Sequence, residues 1–127
     1  MQQKHQYEYA IVRVVPVVER EEFVNAGVIL FCKKEKIIRM KYHLSQDKIL
    51  MLKPDADLEE ILKNLEAFRI IAEGEKGGGP IASMEMAERF RWLSAVRSAS
   101  IQTSRPHTGL TDDLEKTFNT LFDEMVG

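Results

Sequence analysis

Between Tyr7 and Val18 the only charges are Glu8 and Arg13, and the rest of the segment is rich in Tyr, Ile and Val. A β-prone run that is nearly continuous in apolar character, rather than alternating, is the signature of a central strand covered on both faces. This feature restricts the chain more than any other, because a small fold must then supply layers around that strand. Pro16 cannot donate a ladder hydrogen bond, so the far end of the strand is expected at an edge or a bulge. Glu19–Glu22 reads as a charged turn, Phe23–Cys32 as a second strand and Lys33–Glu35 as a tight connection. From Lys36 to His43 the pattern alternates, with Ile37, Arg39, Lys41 and His43 on one face and Ile38, Met40 and Tyr42 on the other. That is a third, half-exposed strand completing an antiparallel meander.

The remainder reads as mostly helical. Ser45 starts a short helix that ends before Pro54. Asp57 with Glu60 resembles a capping box for a long helix with Ile61, Leu65, Phe68 and Ala72 on its apolar face, closing near Gly74. Residues 75–80 form a flexible glycine-rich connection, flanked too poorly for a phosphate-binding loop. Ser83 is expected to cap a helix carrying Met86, Phe90 and Leu93, and Asp112 with Glu115 to start a last helix with the stripe Leu114, Phe118, Leu121, Phe122 and Met125. A fourth strand is expected near 98–104 and an ordered loop over Pro106–Leu110. The fold class is therefore α+β, a small antiparallel sheet with helices packed on one face. Residues 1–127 are expected to form one domain, with 1–6 a disordered N-terminus.

Composition bounds the compartment. One cysteine, Cys32, precludes an internal disulfide and reads as a buried structural thiol. The polar N-terminus lacks the apolar core of a secretory signal, and the longest apolar stretch, Val24–Cys32, is too short to span a membrane. A cytoplasmic protein is expected. The three histidines, His5, His43 and His107, share no ligand spacing, so no metal site and no cofactor are expected.

The formal net charge of -2 conceals a segregation. Residues 1–54 carry +4 and residues 55–127 carry -6, yet from Arg89 to Thr111 there is no Asp or Glu. Arg89, Arg91, Arg97, Arg105 and His107 fall in that window beside Ser94, Ser98, Ser100, Gln102, Thr103, Ser104, Thr108 and Thr111. Guanidinium groups beside hydroxyl and amide donors suit phosphate or carboxylate recognition; the alternative is a solvated loop whose arginines answer the acidic helices. Double-stranded DNA is disfavoured, because no broad basic face accompanies the acidic total.

Two positions in the strands break the apolar pattern. Asn25 and Gly27 fall on one face with Ile29 and Phe31, which marks either a bulge with close backbone packing at Gly27 or a ligand-facing edge. Arg13 is expected to pair with Glu22 or another carboxylate, or else to face a ligand. Trp92 reads as packing. Helix capping accounts for at least one of Asp112 and Asp113.

Tyr9–Pro16, Glu22–Phe31, Arg89–Leu93, Arg97-Ser98, Gln102 with Ser104, and His107–Gly109 followed by Asp112-Asp113 together resemble the bacterial domain-of-unknown-function 3037 family. Asp113 stands where that family often has proline. The resemblance spans roughly Tyr7 to Val126 and implies no biochemical activity; it implies a kinase-linked partner, of the HipA-like kind, more than a stand-alone enzyme. The polar marks it singles out are Arg13, Asn25, Arg97, Ser98, Gln102, His107 and Asp112. The expected function is a binding module in which Arg13, Asn25, Arg97, Ser98, Gln102 and His107 form an anion site for a phosphate-bearing ligand. The alternatives are a protein-interaction partner of a HipA-like kinase and, third, a phosphoester-processing enzyme with His107 as acid–base and Asp112 orienting it.

Overall fold

The structure, a computed structural model, describes residues 4–95 and 99–126. Its sheet runs β3-β2-β1-β4, built from β1 (His5–Val14), β2 (Val24–Cys32), β3 (Ile37–Tyr42) and β4 (Ile101–Thr103), with β5 (His107–Thr111) also on β1. All the pairings are antiparallel. β4 pairs the C-terminal part of β1, through Val12–Val14, and β5 pairs the N-terminal part, through His5–Tyr9. One long strand thus takes two short partners along the same edge. His5 and Gln6, expected in a disordered terminus, are instead paired with Thr111 and Leu110. The segment expected as a loop at Pro106–Leu110 supplies most of β5, because the exposed flank of β1 offers ladder hydrogen bonds that a loop would leave unmade.

The helices are α1 (Gln46–Leu52), α2 (Leu58–Ala72), α3 (Gly79–Ala82), α4 (Met86–Leu93) and α5 (Leu114–Met125). The α+β class is as the sequence predicts, but the helices cover both faces of the sheet and not one. On the first face Ala10, Val12, Val14, Ile29, Phe31, Ile38 and Met40 pack with Ile49 of α1, with Ile61, Leu65, Phe68 and Ala72 of α2, and with Phe90 and Leu93 of α4. On the second, Ile11, Val28 and Leu30 pack under Phe118, Leu121 and Val126, with Leu114, Phe122, Tyr7 and Tyr9 at the margin. The physical reason is in β1 itself: Ile11 points opposite to Val12, so a cover on one side would leave it in water.

The α2 reading holds in detail. Asp57 accepts a hydrogen bond from Glu60 N at 3.1 Å, the four expected core residues are those buried, and Gly74 follows the helix with φ +67°. Two helix starts differ. Glu85, not Ser83, precedes α4, and the Ser83 hydroxyl donates to Pro80 O at 2.8 Å in the turn ending α3. That short helix begins inside the expected glycine-rich connection. For α5 the cap is Asp113, which accepts from Lys116 N at 3.0 Å; Asp112 is passed over. Cys32 is buried. Among the described residues no helix is long and apolar enough to cross a membrane.

Candidate functional site

The polar residues of the strands meet because of a bulge. β1 and β2 pair Val12 with Gly27 but Arg13 with Asn25, so Ala26 is an extra residue on β2. Without it, alternation would turn Asn25 toward the first apolar layer with Gly27, Ile29 and Phe31, as the sequence suggests. The bulge resets the pleat. Asn25 faces α5 instead, and its Nδ2 donates to Met125 O at 3.1 Å. Gly27 is the close-packing point: a Cβ there would lie 2.8 Å from Lys41 O.

On its other side Arg13 pairs with Gln102 of β4. Residues directly opposite in a ladder share a face. Asn25, Arg13 and Gln102 therefore form one row across three strands, starting with Asn25 at the C-terminal end of α5, and all three are half-buried. Each amide spends one donor on backbone: Asn25 on Met125 O, and Gln102 on Ala99 O at 2.8 Å. A side-chain amide carries two N–H donors and a carbonyl, so each retains capacity.

Arg13 does not pair with Glu22. Glu22 is taken by Arg20, at 2.8 Å, and among the described residues no carboxylate forms an ion pair with Arg13. Its guanidinium instead lies over the ring of Phe23, 4.2 Å from the centroid. Arg13 Nε and Asn25 Oδ1 are both buried without a hydrogen-bond partner. Phe23 is the member that sequence reasoning missed. It is 47% exposed, and its only mark in the sequence is an aromatic at the start of the expected second strand.

His107 lies on the same face but elsewhere. It pairs with Tyr9, whose ring centroid is 5.2 Å from its own. Tyr9 and Arg13 are four residues apart on β1, about 13 Å at the rise of an extended strand. The same spacing separates His107 from Thr111, with Asp112 beyond it. Asp112 lines a shallow cavity with Tyr7, Asp113 and Lys116, to which His107 does not contribute. Burial, and after it Tyr9, push the Tyr7 phenol above its usual range. Arg97 and Ser98 lie outside the described residues.

The rest of the acid-free window is structural in part. Arg89 is buried, donates from Nη1 to Met84 O at 2.7 Å, and packs against Gly74 at the end of α2. Ser104 Oγ accepts from Ile11 N at 2.9 Å, Ser94 Oγ donates to Phe90 O, and Thr111 Oγ1 accepts from Asp113 N. These hydroxyls serve the fold. Arg91 and Arg105 are exposed. Trp92 packs on Phe68 across α2 and α4, with ring centroids 6.5 Å apart. Among the described residues no group of three or more His, Cys, Asp or Glu side chains is placed to hold a metal ion.

Over residues 9–126 the chain matches the family described as protein of unknown function, DUF3037. It belongs to that family. The match contains every member of the Asn25–Arg13–Gln102 row, together with Arg97, Ser98, His107 and Asp112. No curated protein and no solved structure matches the chain.

Proposed function

We propose that this family member is a binding module whose Asn25–Arg13–Gln102 row receives the anionic group of a phosphate-bearing ligand. The observation that carries the reading is Arg13: a half-buried guanidinium with no carboxylate partner among the described residues and with Nε buried and unpaired. A cation withdrawn from water without a counter-charge is unfavourable, and an anion offering two oxygens compensates it through paired hydrogen bonds. The free donors of Asn25 and Gln102 flank that position. Arg97 and Ser98 join the site on the sequence pattern alone. His107 is reached only by a ligand extending about 13 Å along β1.

The test is ligand-induced stabilisation, with nucleotides and short single-stranded oligonucleotides screened by thermal shift. A ligand at a hundredfold excess over its dissociation constant stabilises by about 2.7 kcal/mol. Wild type is expected to shift, while Arg13→Gln and Arg97→Ala lose the shift relative to their own unliganded melting points. Absence of any shift in wild type overturns the reading.

A second reading rests on apolar exposure beside the same row. Phe23, Met51 and Met125 are 47%, 83% and 37% exposed, and with Asn25 they border a groove of about 380 Å³. Apolar side chains around a polar point suit a protein partner, and the family resemblance suggests a HipA-like kinase. Co-purification with a neighbouring gene product, lost in Met51→Asp or Arg105→Glu, is the outcome this reading requires.

A further inference from the structure

On the opposite face, at the other end of β1, α4 borders a stretch of the sheet that it does not fill. A groove of about 820 Å³ remains there, running from β5 past the start of β1 to the β2–β3 turn. Lys4, Lys33, Lys34 and Arg91 line it against a single carboxylate, Glu8. Its floor is Phe31 and Phe90, packed with centroids 5.3 Å apart, and its outer wall is Leu110, 66% exposed.

The strand at its border is an unpaired edge. β5 pairs with β1, and among the described strands nothing lies on its other side. The opposite edge of the sheet is treated differently: Met40 N of β3 donates to Glu73 Oε2 from the end of α2, at 3.4 Å. An exposed strand edge beside an apolar side chain is a template for strand addition, where main-chain hydrogen bonds supply affinity and alternate side chains supply specificity. The occupant follows from charge and from the rings. Four cations against one carboxylate call for an anionic partner. Phe31 and Phe90 are 6% and 1% exposed, and the Tyr7 ring lies across Gly109, so no open aromatic face is offered to a nucleobase. We infer that β5 and this groove take an extended acidic segment of a partner protein, added antiparallel or parallel to β5. Its carboxylates would meet Lys33, Lys34, Arg91 and Lys4, and an apolar side chain would cover Leu110.

The test pans a displayed library of random peptides on the full chain, and the selected peptide is then synthesised and titrated by fluorescence anisotropy. The expected peptides carry Asp or Glu at alternate positions around an apolar residue. Lys33→Glu with Lys34→Glu is expected to weaken binding about tenfold or more. Arg91→Glu provides an independent reversal on α4. Lys63→Glu, exposed on α2, and Arg13→Gln, on the other face, are expected to leave affinity within about twofold, so this inference fails or stands apart from the Arg13 site. Slowed amide exchange at Thr108–Leu110 on binding marks strand addition. Absence of enrichment, selection of non-acidic peptides, unaltered exchange in β5, or equal weakening by Lys63→Glu would each overturn it.

Discussion

Between Lys41 and Tyr42 there is room for a hydrogen at position 27 and for little more. An added Cβ would stand 2.8 Å from Lys41 O and 3.1 Å from Tyr42 Cβ, and backbone atoms in a paired strand cannot swing aside. Gly27→Ala is therefore expected to destabilise the fold by about 1–3 kcal/mol, read as a lower urea midpoint at unchanged slope. An unaltered midpoint would mean that β2 and β3 can separate freely at this point. The glycine was legible in the sequence because it interrupts an apolar strand. Its neighbour Asn25 was legible as an oddity but not in direction. Alternation assumes an unbroken pleat, and the extra residue Ala26 reverses it. Arg13 failed for a different reason: a carboxylate near in sequence was claimed by Arg20, and the ring of Phe23 took its place under the guanidinium.

Among the elements, those whose own sequence closes their hydrogen bonds were readable. Asp57 satisfies a free N–H at the start of α2, four apolar residues recur at helical spacing, and no tertiary information is needed. β5 lacks such a signal. His107–Thr111 holds no apolar alternation, and it becomes a strand because β1 is longer than β4 can cover. The start of α5 is intermediate, since either of two adjacent carboxylates could cap it. The Asp113 side chain accepts from Lys116 N, and Thr111 Oγ1 accepts from Asp113 N and from Thr117 Oγ1 at 2.6 Å, which fixes that register. Asp113→Ala is expected to cost about 0.5–2 kcal/mol in chemical denaturation, and Asp112→Ala to stay within about 0.5 kcal/mol. A reversed order would move the cap back by one residue.

At the scale of the whole molecule, the sequence carried the evidence for two covers before any helix was assigned. A strand apolar on successive residues needs both faces closed, and α5 closes the second. The consequence is mechanical. Val12 and Ile29 belong to one hydrophobic layer, Ile11 and Val28 to the other, and both pairs lie on the same two strands. Loosening α5 should therefore be felt across the sheet. Phe118 of α5 is 2% exposed, while Trp92 reports from α4 in the opposite layer, packed on Phe68. Phe118→Ala is expected to destabilise the fold by about 3–5 kcal/mol. Its effect should appear equally in Trp92 fluorescence and in far-ultraviolet circular dichroism, as one transition with a single lowered midpoint. If Trp92 unfolded at the wild-type midpoint while the circular dichroism changed earlier, α5 would be an appended layer. The shared strands argue for the first outcome, because Ile11 cannot lose its cover without disturbing the backbone that holds Val12 in place.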